Sequence, residues 1–245
     1  MVARLGKDGG SIALVVTHLH ARYSPPGEPD EYLGIRGARV AGLIGDLSGL
    51  DGPVVAVGDF NMREGASEYE CFIGLTGLVD AAAFLDTRQA TVLADNPYLG
   101  VGHHGDERID YCFVNREVRP VAVRRDFDES LGRYSDHAGL VATIELSEQS
   151  RLDSAGSADR GAARVRLGEL LEQGRSAALR RRELHRLRAA GLATAAILGS
   201  RLGERAAAGL LLAGAIGEVL LAERFVRTEL RGFDYAQLIV DGIPG

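Results

Sequence analysis

Along the first 146 residues, short apolar runs alternate with segments of helical spacing. Residues 11–17 are almost continuously apolar, too continuous for a surface strand and typical of a buried one. In residues 31–47, Ile35, Val40, Leu43, Ile44 and Leu47 fall near helical spacing, with Arg36, Arg39 and Asp46 among them, which predicts an amphipathic helix. Gly52-Pro53 breaks the chain, and residues 54–57 read as a second buried strand ending at Gly58-Asp59. Residues 67–75 read as a helix. Residues 109–115, 118–124 and 138–146 read as three further strands. The pattern predicts an α/β domain over 1–146.

Residues 147–161, SEQSRLDSAGSADRG, are small and polar and read as a linker. Beyond them the chain is rich in Ala, Leu and Arg and has no proline before Pro244. Helices are predicted at about 162–188, 189–201 and 204–230, so residues 162–245 form a helical region. Residues 189–200 and 206–217 are uncharged stretches of 12 residues each. Each is shorter than the roughly 20 residues needed to cross a bilayer. Two readings stand: a soluble hairpin or oligomerising bundle, and an element that attaches to a membrane surface. Arg180, Arg181, Arg182, Arg186 and Arg188, just before the first stretch, could meet anionic lipid.

Composition narrows the class. The chain has 245 residues, 46% hydrophobic and 25% charged, the balance of a globular protein and not of a disordered one. The apolar run at 12–16 is too short for a signal-peptide core. Cys71 and Cys112 give neither a metal cluster nor a disulfide framework, which points to a reducing cytoplasm. The net charge of −6 is uneven. Residues 1–146 hold 13 basic and 22 acidic side chains, net −9, and the remainder 15 and 12, net +3. An acidic first part argues against a nucleic-acid partner, because phosphate affinity comes largely from Lys and Arg.

Four motifs lie at predicted strand ends: Thr17-His18-Leu19, Gly58-Asp59-Phe60-Asn61, Arg108-Ile109-Asp110-Tyr111 and Ser135-Asp136-His137. Each alone is a common turn or cap. Together they place a His, an Asp/Asn pair, an Asp and an Asp-His pair where layered α/β folds carry their sites. Such a set suits metal-assisted phosphodiester hydrolysis. Carboxylates hold a hard cation such as Mg²⁺, and a His oriented by a carboxylate deprotonates the attacking water.

With these motifs in this order, residues 10–146 resemble the endonuclease/exonuclease/phosphatase superfamily of DNase I-like hydrolases. Within it the stretch His18-Leu19-His20-Ala21-Arg22-Tyr23, followed by Asp30-Glu31-Tyr32-Leu33 and Arg36, is most similar to neutral sphingomyelinases. The resemblance implies that His137 is the general base, that Asp110 holds its ring, and that Asp59 assists proton transfer or the leaving group. It further implies that His18 neutralises a phosphate oxygen, that Asn61 contacts the scissile phosphate, and that Asp136 lies near Mg²⁺. Asn96 is a further candidate for phosphate contact. The implied substrate is a phospholipid or other phosphodiester. A nuclease of the same superfamily and a non-catalytic binding or assembly module are the alternatives.

The implied fold is the second half of a four-layer α/β/β/α sandwich, followed by the α-helical C-terminal region. The first half of that fold normally supplies an Asn and the main metal-binding Glu, and both are expected to be missing from this chain. Glu28, Glu31 and Glu64 do not match that motif. The expectation is a truncated gene product, a fragment, or a chain completed by a partner or a missing N-terminal half, with one sheet face left apolar and uncovered.

Overall fold

A computed structural model describes residues 1–7, 10–22, 30, 32–99, 105–126, 134–146 and 159–243. The architecture is mixed α/β with a C-terminal helical region. β1 (Val2–Lys7) and β2 (Gly10–His18) are followed by α1 (Leu33–Ser48), β3 (Val54–Asp59), α2 (Ser67–Thr76), β4 (Val79–Asp80) and α3 (Ala81–Phe84). Then come β5 (Asp110–Val114), β6 (Val118–Asp126) and β7 (Gly139–Leu146). The tail is α4 (Arg160–Arg201), α5 (Arg205–Leu220), a π-helical turn (Leu221–Phe225) and α6 (Val226–Gly242).

Five strands make the main sheet in the order β1-β2-β3-β5-β4, with β2 and β3 parallel and the other pairs antiparallel. β1 does not follow from the periodicity. Its residues alternate weakly, and pairing with the edge of β2 makes it a strand.

One face of the sheet, through Ala13, Val15, Ala56, Tyr111 and Phe113, packs under α1 and α2. Phe60, Phe72, Tyr111 and Phe113 form an aromatic cluster there, with ring centroids 4.9–5.9 Å apart. The other face, through Val55, Cys112 and Val114, meets the separate β6–β7 hairpin. That cover is partial. Ile12, Leu14 and Val57 are half-buried, Val16 is exposed, and a cleft of about 470 Å³ lies between the sheet and β7. β2 is therefore fully buried on one face only, and its burial alternates with period two. Burial pushes the thiols of Cys71 and Cys112 up to about 12, so both stay protonated at neutral pH.

The tail does not form a separate core. Leu167, Leu170 and Leu171 of α4 and Leu230, Phe233, Ala236 and Val240 of α6 pack into the same cluster as α1 and the sheet. Three predicted helices become one long helix and a second one bent at the π-turn. The predicted break near residue 188 is absent, because nothing in Arg188-Ala189 stops a helix. α6 extends well past the predicted end at residue 230, carried by its apolar stripe. Most of the expected linker, residues 147–158, lies outside the described residues. Its end belongs to α4: the Asp159 carboxylate caps the helix by accepting from the Gly161 and Ala162 amides at 3.0 and 3.2 Å.

Candidate active site

Strand register gathers the motifs. His18 ends β2 directly opposite Asp59 at the end of β3, and β5 sets Asp110 opposite Asp59 on the other side. His18 Nε2 lies 3.4 Å from Asp59 Oδ2, with His18 largely exposed and Asp59 mostly covered. Gly58 makes this approach of β3 to β2 feasible. Its φ is +137°, and a Cβ there would lie 2.0 Å from the Thr17 carbonyl oxygen.

The fourth motif joins through residues 91 and 92. The Ala138 amide donates to the Thr91 carbonyl at 2.7 Å, and Val92 bridges both Glu107 and His137. Thr91 Oγ1, fully buried, accepts from the Ile109 and Asp110 amides at 3.3 Å. One residue thus ties the strand carrying Asp110 to the segment carrying His137. The result is a dyad, with His137 Nδ1 2.8 Å from Asp110 Oδ2. An ionised carboxylate only accepts, so Nδ1 carries the proton and Nε2 is left as the basic nitrogen.

The hydrogen bond that His137 donates to Asp110 is the main cause that raises the His137 pKa, with burial opposing it and the Asp110, Asp59 and Asp136 charges adding to it. The Asp59 pKa is raised above the usual carboxylate value by burial first and the Asp110 charge second. Asn61 counteracts this. Its backbone amide donates to Asp59 Oδ1 at 2.9 Å and its side-chain amide to Oδ2 at 2.8 Å and to the Leu19 carbonyl at 3.0 Å. It does so from a left-handed backbone, φ +49°.

Asn96 is placed differently from the phosphate contact expected of it. It is buried, donates to the Ser135 carbonyl at 2.9 Å and accepts from the Tyr98 amide at 3.0 Å. Its side chain holds the loop before His137, and it is a positioning residue. Asp136 is exposed beside Ser135, whose hydroxyl lies 3.2 Å from its carboxylate.

The described part of the segment from His18 to Arg36 lies beside these groups. The rings of His20 and Tyr32 stack at 4.5 Å. Buried Arg36 pairs with Asp30, bonds Glu68 at 2.8 Å and donates to the His20 carbonyl at 3.3 Å. These bonds tie the start of α1 to the His18 end of β2. Tyr23, Glu28 and Glu31 lie outside the described residues. Glu64 pairs with Arg88 and Arg108, and Arg108 also pairs with Asp80 at 2.6 Å and lies 4.5 Å over the Tyr111 ring. Sequence reading missed Thr91 and the Arg36 and Arg108 networks. Thr91 stands in no motif and only the fold brings it to the dyad.

The donor set does not fit the Mg²⁺ that the resemblance implies. Among the described residues no three His, Cys, Asp or Glu side chains converge as metal ligands. Asp110 is committed to His137, and both Asp59 oxygens are held by Asn61. Asp136, exposed beside the Ser135 hydroxyl, is left as a lone carboxylate, and one such group holds a hard divalent cation weakly.

No family model matches the sequence, and no curated protein matches it. Among solved structures, the chain is similar to an endonuclease/exonuclease/phosphatase from Beutenbergia cavernae DSM 12333, at 23% identity over 60% of this chain and 39% of that one, TM-score 0.42. It is also similar to the human Nocturnin catalytic domain with bound sulfate anion, at 22% identity over 60% and 51%, TM-score 0.44. A third is a Staphylococcus aureus beta toxin variant with bound magnesium ions, at 14% identity over 58% and 56%, TM-score 0.37. The chain spans between two fifths and just over half the length of these structures.

Proposed function

We propose that the protein is a phosphoric diester hydrolase acting on a phospholipid-type substrate. The observation that carries this is the Asp110–His137 dyad beside the Asp59–His18 pair on one edge of the sheet. His137 Nε2 takes a proton from water as the water oxygen bonds to phosphorus and the bond to the leaving alkoxide breaks. Asp110 fixes the working tautomer and stabilises the imidazolium that forms. Asp59, held by both Asn61 amides, assists on the leaving-group side, and the departing alkoxide takes its proton from solvent. His18, on the open side, neutralises a non-bridging phosphate oxygen. No step is routed through a metal, because the described residues do not complete its ligand set.

The choice of a lipid over a nucleic acid rests on the net charge of −9 over residues 1–146 and on the segment around His20 and Arg36. The protein is expected to act in the cytoplasm. The test is release of a phosphorylated headgroup from sphingomyelin and phosphatidylcholine vesicles, with plasmid cleavage run in parallel. His137→Ala should lower turnover by about 10²–10⁴-fold. Near-normal turnover in that variant would overturn the mechanism, and plasmid cleavage without lipid hydrolysis would overturn the substrate class. One observation favours a second reading, a binding or assembly module: the incomplete donor set around Asp136. A folded protein inactive on both substrates at millimolar Mg²⁺ would establish it.

A further inference from the structure

α4 and α5 form a hairpin whose packing is inverted relative to a water-soluble bundle. Its inner seam is made of small residues: Ala189 and Ala196 of α4 and Ala208 and Ala215 of α5 are buried. The large aliphatic side chains point outward. Ile197, Leu198, Leu202, Leu210, Leu212 and Ile216 are all exposed, Leu202 by 81% and Leu210 by 77%. Small residues inside and leucines outside is the arrangement of helices packed in lipid, where outward apolar surface costs nothing. In water the same surface is a contiguous apolar patch beyond what monomers usually expose. Between the helices runs a trough of about 490 Å³, lined by alanines and by Leu212, Ile216 and Val219, with Arg186 at its base.

The base of the hairpin is charged in a matching way. Over residues 180–188 and 218–229 seven arginines stand against four glutamates. Glu223 holds Arg182 and Arg186, Glu229 pairs with Arg181, and Glu218 with His185. The glutamates thus consumed leave Arg180, Arg188, Arg224 and Arg227 exposed around the base. Such a collar suits anionic headgroups and would repel its own copy across a two-fold interface.

Direction matters as much as surface. α4 starts beside Leu47 and Ser48 at the end of α1 and reaches the start of α1 where Gly174 meets Gly34. The start of α1 is also where Arg36 reaches the His20 carbonyl, two residues beyond His18. From Gly174 to Arg201 the helix runs on for about 40 Å past the catalytic end of the sheet.

We propose that residues 189–220 are an interfacial lipid-binding arm, which buries its leucines in the outer acyl region of an anionic bilayer and brings that surface to the catalytic edge. Each 12-residue uncharged stretch is about 18 Å long, less than the ~30 Å hydrocarbon core. The helix from Arg205 to Gly242 is long and apolar enough to cross a membrane by length and composition. Arg201, Glu204 and Arg205 at the turn, and Glu218 paired with His185 within its apolar part, favour an arm that lies along the surface at headgroup depth. Lipid binding stands on the hairpin's own packing; only its link to catalysis rests on the hydrolase reading.

The test is flotation of the full chain with phosphatidylcholine vesicles, alone and mixed about equally with phosphatidylserine. Binding is expected to the mixed vesicles and to be weaker by about tenfold or more without the anionic lipid. The triple variant Leu198→Glu, Leu202→Glu, Leu210→Glu should lose binding while keeping the wild-type melting transition, since these side chains are exposed and stand outside the trough between the helices. Arg180→Glu with Arg188→Glu should abolish the preference for phosphatidylserine. A wild-type chain that stays unbound to both vesicles overturns the proposal. So does a wild-type oligomer that the triple variant dissolves with no vesicle binding, which assigns the face to a second copy. Hydrolysis of soluble bis(p-nitrophenyl) phosphate is read separately. Binding without any hydrolysis keeps the arm and rejects the hydrolase reading. Equal activity of wild type and triple variant on vesicular lipid rejects the link to catalysis.

Discussion

His137 can act on a water only through the ring nitrogen that Asp110 leaves free, and Asp110→Asn removes both the tautomer lock and the charge. Turnover should fall by about 10²–10⁴-fold, and in an NMR titration the His137 pKa should drop back toward about 6.5. The sign for stability follows from the raised folded-state pKa. The attraction to Asp110 is fully present below the unfolded pKa of His137 and is lost as pH rises through the folded one. The melting-temperature gap between wild type and Asp110→Asn is therefore expected to be wider at pH 6 than at pH 9. Equal gaps at the two pH values would refute the pairing. At this scale the sequence was informative for groups that sit at strand ends, since Gly58-Asp59 and Ser135-Asp136-His137 mark their own turns. It was silent on Thr91, whose hydroxyl matters only because two amides from β5 reach it.

The elements differ in how they are held. α1 and α4 cross where Gly34 meets Gly174, and a Cβ on Gly34 would lie 2.4 Å from the Gly174 Cα. A Cβ on Gly174 would also lie 2.6 Å from the Phe233 ring of α6. Gly174→Ala should destabilise by roughly 1–3 kcal/mol through overpacking, although alanine is the better helix former. Gly42→Ala on the same α1 meets nothing within 4 Å and should be neutral or slightly stabilising. Denaturant melts of the two variants check the contrast, and equal effects would mean the crossing is looser than described. Helical spacing announced α1 because its buried residues recur on one face. It could not announce β1, nor the union of 162–188 with 189–201, since neither depends on local pattern alone.

For the whole molecule, the tail completes the core. Leu167 and Leu170 of α4 cover Gly37 of α1, and Ile239 of α6 covers Gly45. A chain ended before Asp159 would bare this side of α1, and it is expected to aggregate or to melt well below the full chain in calorimetry. Replacing only residues 189–220 by a short loop should leave the melting transition close to that of the full chain, because the buried residues of this part, Ala189, Ala196, Ala208 and Ala215, stand outside the described core cluster. Residue spacing by itself determined the α/β order, the four motifs and the helical tail, since periodicity, turn residues and charge are local properties. Only the tertiary structure decided that His18, Asp59, Asp110 and His137 share one edge, because strand order and register are set by contacts between distant segments. It also decided that α4 and α6 belong to the α/β core while residues 189–220 extend beyond it. The same apolar helices could have turned their leucines inward, and only packing against alanine turned them out.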